Sequence, residues 1–265
     1  MRLMSIASGS SGNCIYVGDD NTHILIDAGI SKKRVEEGLN SIGLTVGDLD
    51  AVFVTHEHSD HIGGLGVLTR KCQAPVYATK GTLEGIFNYA SLGKVDPEQF
   101  VEIAENQCIT IGDIKVDPMK ISHDAAQPVA YRFFKGDKRI AIATDMGMVT
   151  EENEEKLQGM NAILLEANHD VNMVQVGPYP YYLKQRILGK KGHLSNENAG
   201  RLLSEIVHDD LKHVFLGHLS RENNLPQLAH EAVLLEITMG ENPYQASDFD
   251  IRVAERSEPS GLIEV

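Results

Sequence analysis

The chain has 265 residues and a formal net charge of −14, from 24 Lys and Arg against 38 Asp and Glu. That length makes one large domain or two small ones, with a core that needs no disulfide staples. The acidic balance excludes a general nucleic-acid coating role. It leaves nucleic-acid chemistry open, because bound divalent ions supply positive charge that the formal count omits.

Three cysteines (Cys14, Cys72 and Cys108) are far apart and form no CxxC pair. They read as buried small hydrophobes in a reducing cytoplasm. The first seven residues run quickly into Gly and Ser and do not read as a signal peptide. No apolar run approaches the roughly 18 residues that a membrane span needs. A cytoplasmic protein with no membrane partner is therefore expected.

The first third predicts strands over 3–7, 14–17 and 23–26, the last two joined by the hairpin signal Gly18-Asp19-Asp20-Asn21. Ser31 is a candidate N-cap for a helix to about residue 42, with Val35 and Leu39 on one face. A short apolar strand over 50–54 leads into Thr55-His56-Glu57-His58-Ser59-Asp60-His61. Strand residues two apart face the same way, so His56 and His58 can reach one metal ion. Asp60 and His61 follow the turn and can face a second ion, and a helix should run over 61–70. Two adjacent metals make a hydrolytic centre.

Beyond that motif, strands are expected over 75–78, 100–103, 108–111, 114–119, 130–134, 139–143, 162–166 and 213–216. Helices are expected over 82–90, 179–188, 196–208 and 227–239. In the third of these, Ala199, Leu202, Leu203 and Ile206 form one apolar stripe behind Ser195 as N-cap. The two halves each read as strands followed by helices, with no composition shift to mark a boundary. A single α+β domain over 1–265 follows, made of two mostly antiparallel sheets packed as a four-layer αββα sandwich.

Four further residues repeat one arrangement, an apolar strand that delivers a His or Asp at its end. They are Asp27 after Ile24-Leu25-Ile26, His123 after Ile121-Ser122, Asp145 after the strand ending at Thr144, and His218 after Phe215-Leu216-Gly217. In order and type, these and the 55–61 motif resemble the five motifs of the metallo-β-lactamase superfamily. The resemblance implies His56, His58 and His123 on one metal, and Asp60, His61 and His218 on the second. It implies Asp145 bridging both, with Asp27 orienting the ligand loop by hydrogen bonds. Imidazole and carboxylate oxygen without Cys suit Zn, Mn or Fe and do not select among them. Two divalent ions per chain are expected.

The chain also resembles the YycJ (WalJ, VicX) family within that superfamily. The shared stretches include Ser8-Gly9-Ser10-Ser11-Gly12-Asn13, Thr144-Asp145-Met146-Gly147, Glu166-Ala167-Asn168-His169-Asp170 and Gly192-His193-Leu194-Ser195-Asn196. This implies a DNA exonuclease, 5′→3′, acting on strand ends with a link to DNA repair. Water activated between the ions, with Asp60 among the catalytic groups, would attack phosphorus. His193, partnered by Glu166 as in nuclease branches of the superfamily, would protonate the leaving oxygen. Tyr179, Tyr181, Lys184 and Arg186 form an interleaved aromatic and basic segment suited to a strand. Ser195 and Asn196, at a helix N-terminus, offer a phosphate site. The alternatives are an RNA-processing nuclease and a small-molecule hydrolase such as a glyoxalase II-type thioesterase. A homodimer is open, and His169 and Asp170 carry no assigned role.

Overall fold

The computed structural model describes all 265 residues. Its contacts divide into two compact units. The first comprises Met1–Lys120, Ala125–Asp137 and Glu255–Glu264; the second comprises Ile121–Asp124, Lys138–Ala254 and Val265.

In the first unit, β1 (Arg2–Ala7), β2 (Cys14–Gly18) and β3 (His23–Ile26) form an antiparallel meander. Helix α1 (Lys32–Asn40) then crosses over to β4 (Ala51–Phe53), which lies parallel to β3. The short helices α2 (Ser59–Ile62) and α3 (Leu65–Thr69) lead to β5 (Val76–Thr79). Helix α4 (Lys80–Asn88) leads to β6 (Phe100–Ile103), again parallel. Parallel neighbours require such helical crossovers, whereas antiparallel ones need only a tight turn. Strands β7 (Ile109–Ile111), β8 (Ile114–Lys120) and β9 (Val129–Lys135) return to antiparallel pairing. Val35 and Leu39 of α1 and Ile62, Leu65 and Leu68 of α2 and α3 share one core cluster with Met4, Ile6 and Val52.

The second unit opens with β10 (Lys138–Ala143), α5 (Glu151–Leu157) and β11 (Ala162–Glu166). Helices α6 (Val171–Val176), α7 (Tyr181–Leu188) and α8 (Asn196–Ile206) precede β12 (His213–Gly217). Helix α9 (Pro226–Met239) precedes β13 (Asp250–Val253). The strands β13-β12-β11-β10 are neighbours in that order and all parallel. The chain then returns to the first unit, where β14 (Ile263–Glu264) pairs antiparallel with β1. No helix is long and apolar enough to cross a membrane.

Three expectations are corrected. The sheets are mixed, not mostly antiparallel: β11 is buried along its whole length, the mark of a strand covered on both faces. The helix expected over 61–70 is broken at Gly63 and Gly64, where an added Cβ on Gly64 would lie 1.8 Å from the Ile30 carbonyl oxygen. Cys14 and Cys72 are buried as expected, but Cys108 is exposed and its thiol donates to Asp117 at 3.3 Å.

The β2–β3 turn is held by Asp19, which accepts the N–H groups of Asn21 and Thr22 at 2.7 and 2.8 Å and the Lys135 ammonium at 2.6 Å. Burial alone would raise the Asp19 pKa, but these hydrogen bonds bring it down to about 2. A depressed carboxylate stabilises the fold above the unfolded pKa of about 3.9 and loses that contribution as pH falls toward 2. Asp19→Asn is therefore expected to destabilise the fold by up to about 1 kcal/mol near neutral pH. The difference should shrink as pH falls through 2 and vanish below it, measured by denaturant unfolding across pH.

Candidate metal centre

In the first unit the site is built around Asp27, which leaves β3 with φ 61°. Its buried carboxylate accepts the Thr55 N–H at 2.8 Å, the Thr55 hydroxyl at 2.9 Å and His61 Nδ1–H at 2.7 Å. The one hydroxyl proton of Thr55 is thus used on Asp27. Its Oγ1 must accept from His56 Nδ1–H, 3.0 Å away. Both imidazoles are therefore held with the proton on Nδ1 and the lone pair on Nε2. This is how a metal-binding His is normally oriented, by an acceptor behind the ring.

His56 and His58 do not ride on a strand, because β4 stops at Phe53 and His58 caps α2. The loop still brings their rings to 4.6 Å between centroids, and those of His56 and His61 to 4.0 Å. Asp60 and His61 lie on α2, with Asp60 Oδ2 3.5 Å from His61 Nε2.

Asn13, the last residue of the 8–13 motif, has no role predicted from the sequence and is fully buried beside this group. Its backbone N–H donates to the Asp60 carbonyl at 2.7 Å, and its side-chain amide lies 3.1 Å from His61 Nε2. Gly29 completes the cradle, donating to the Asn13 carbonyl at 2.9 Å. A Cβ on Gly29 would fall 1.7 Å from the Asp60 carbonyl oxygen. Gly29→Ala should force this loop apart and destabilise the protein by about 1–3 kcal/mol, visible as a lowered Tm.

In the second unit, Glu166 ends β11 and is completely buried. Its Oε2 accepts the N–H groups of Met146 and Leu194 at 2.7 and 3.0 Å. Its Oε1 accepts from Nδ1 of His193 at 2.8 Å and of His218 at 3.0 Å. Asp145 and His218 follow β10 and β12 with φ 60° and 56°. Asp145, Glu166, His193 and His218 offer donor atoms that all lie within 4.8 Å of one another. His123 donates Nδ1–H to the Gly192 carbonyl at 3.0 Å, and its Nε2 lies 3.6 Å from Asp145 Oδ1.

Their surroundings push the pKa values of His123 and His193 in opposite directions. Burial dominates at His123 and lowers its pKa, favouring the neutral ring that a cation can bind. At His193 burial is outweighed by the charge and hydrogen bond of Glu166, so its pKa is raised. Burial works on Glu166 in the opposite sense, but the two imidazoles hold it ionised. A protonated imidazole repels a cation and donates through Nε2. His123 thus fits a divalent ion, while His193 fits a proton donor.

The substrate-facing expectations fare unevenly. Tyr181 is 76 % exposed at the start of α7, and Tyr179, Tyr181 and Lys184 line one hollow. The Arg186 guanidinium is engaged with Asp124 through two nitrogens. Ser195 and Asn196 are buried. Ser195 Oγ caps α8 through the Asn198 N–H, and the Asn196 amide pairs reciprocally with Asn224, both bonds 2.9 Å. These side chains position the helix and do not present a phosphate surface. His169 is buried with its pKa lowered to about 4 by burial, and Asp170 caps α6 through the Met173 N–H.

Residues 22–218 match the family model described as the beta-lactamase superfamily domain. The chain belongs to the metallo-β-lactamase superfamily. It is 41% identical over 233 residues to exodeoxyribonuclease YycJ of Bacillus anthracis, covering 88% of each chain. It is also 41% identical over 236 residues to exodeoxyribonuclease WalJ of Streptococcus pneumoniae, covering 89% of this chain and 88% of that one. Membership of the YycJ/WalJ family follows. Zn(2+)-bound PqqB from Methylobacterium extorquens matches over 100% of both chains with a TM-score of 0.71 at 16% identity, a likeness of fold. The fold is thus the four-layer αββα sandwich of this superfamily, and the protein is a metal-dependent hydrolase whose fold implies divalent metal ions.

Proposed function

We propose that the protein is a dimetal exodeoxyribonuclease that degrades DNA from a strand end in the 5′→3′ direction, in the cytoplasm and in the service of DNA repair. The whole chain works as one catalytic domain. His56, His58 and His123 would hold one Zn or Mn ion and Asp60, His61 and His218 the other, with Asp145 available to both. When bound, such ions lower the pKa of water and neutralise charge on the phosphoryl oxygens.

The observation that carries the reading is the Glu166–His193 pair. Its 2.8 Å hydrogen bond turns His193 Nε2 outward from a buried carboxylate that favours the protonated ring. The expelled sugar oxygen of a phosphodiester is a poor leaving group and needs that proton. A thioester with a good leaving group does not. The YycJ and WalJ relatives, which carry exodeoxyribonuclease names, support DNA as the polymer.

The test is digestion of 5′- and 3′-labelled DNA and RNA by protein loaded with Mn or Zn. Release of mononucleotides from the 5′ end of DNA is expected. Cleavage of RNA alone would move the substrate to RNA. Turnover of a thioester with no polymer cleavage would overturn the proposal.

A further inference from the structure

Residues 171–196 contain four Lys or Arg and no Asp or Glu, in a chain whose formal net charge is −14. The segment that carries α6, α7 and the loop to His193 thus contributes nothing to the chain's acidity. Within it, α7 buries none of its residues. Tyr181 and Tyr182 are 76% and 74% exposed. Lys190 and Lys191 are exposed beyond the helix. Gln175, Tyr179, Tyr181, Lys184, Gln185 and Leu188 surround a hollow of about 310 Å³. Its aromatic and amide lining matches a flat, polar-edged ring, and the Lys184 ammonium closes one side by donating to the Gln175 carbonyl at 2.7 Å.

The segment is also fixed to the catalytic loop. The His193 N–H donates to the Ile187 carbonyl at 3.1 Å, and the Gly192 carbonyl accepts from His123. A Cβ on Gly192 would lie 2.1 Å from the Ile187 carbonyl oxygen, so the chain approaches α7 as closely as backbone allows. Arg186, through Asp124, ties the next residue of the same helix to the neighbour of His123. Position along α7 is therefore position relative to His193.

Resting on the exonuclease reading, we propose that the α7 hollow is a nucleobase subsite, in which Tyr181 and Tyr179 stack one unpaired base of the strand being degraded. Tyr181 lies about 9 Å along the helix from Ile187, at about 1.5 Å per residue. At about 3.4 Å per nucleotide, the stacked base is two or three nucleotides from the phosphate at His193. A base must leave its duplex partner to enter the hollow, so the subsite favours single-stranded or frayed ends.

The test uses full-length, metal-loaded protein and a cleavage-resistant phosphorothioate DNA carrying 2-aminopurine near the labelled end. Tyr181→Ala should raise Kd about 5- to 150-fold, the worth of one stacked base. Tyr181→Phe should stay close to the parent, and quenching of 2-aminopurine should be strongest two or three nucleotides from the end. An abasic site there should weaken the parent as much as Tyr181→Ala does, and the two changes together should cost no more. Unaltered Kd in Tyr181→Ala, or a further loss when Tyr181→Ala is combined with the abasic site, would overturn the subsite. Tyrosine-dependent binding without cleavage of any DNA would keep the subsite and remove the exonuclease reading. Cleavage indifferent to Tyr181 would do the reverse.

Discussion

His193→Ala is expected to lower kcat on DNA by about 10²–10⁴-fold, the range for loss of a general acid. The reason lies in Glu166. Each of its oxygens accepts two hydrogen bonds, so the carboxylate has no capacity left and cannot itself take a proton from the substrate. Its charge instead stabilises the proton on His193. The loss should depend on the leaving group: a nitrophenolate departs without protonation, so bis-nitrophenyl phosphate should lose far less than DNA. Steady-state kinetics on both substrates checks this. Equal losses would mean that His193 shapes the site and does not donate a proton. Glu166→Gln should behave worse than His193→Ala, because it also removes the charge that accepts His218 and two backbone N–H groups.

The second large effect is expected at Asp27. Asp27→Ala removes the acceptor for the Thr55 N–H, the Thr55 hydroxyl and His61 Nδ1 in a fully buried site. Losing one partner of such a buried network costs about 3–5 kcal/mol, or roughly 6–20 °C in Tm for a chain of this size. With the acceptors behind the rings gone, His61 and Thr55 are released to other tautomers and rotamers. Metal affinity should fall about 10–100-fold, as for other partners that orient a ligand from behind. Thermal denaturation with and without metal, together with metal titration, separates the two effects. A variant with lowered Tm but unchanged metal affinity would show that Asp27 supports the fold alone.

Much of this was legible in the residues. The 55–61 motif, and the strands that end at Asp27, Asp145, Glu166 and His218, can be read because a buried strand is an apolar run and its last polar residue stands out. Parallel pairing was not legible. A run such as Ala162–Glu166 has the same apolar character whichever way its neighbours point, and only the intervening helices reveal direction. Two of those helices left weak traces. Helix α5 is mostly acidic with few apolar anchors, and α6 is six residues long with one buried side chain. Their N-caps, Thr150 and Asp170, were the available signals. The role of Asn13 was hidden for another reason: its partner Asp60 is 47 positions away, and nothing local to an Asn predicts such a contact. The same holds for Arg186, whose charge reads as substrate-facing until Asp124 is placed beside it.

Asp27, Asp145 and His218 are the three non-glycine residues of the chain with positive φ. Asp, Asn and His are the side chains that tolerate this region best, and each such residue still costs on the order of 1–3 kcal/mol. The backbone therefore restricts the choice of side chain at these three positions before any metal does. Glu in place of either Asp would bring the right charge on a backbone that suits it less. Glycine would suit the backbone and bring no donor at all. A selection for function would have to forbid glycine at all three, although glycine alone relieves the backbone, and at Asp27 it would also forfeit the bonds to Thr55 and His61. Such a selection would identify the centre of the enzyme by the substitutions it had to forbid.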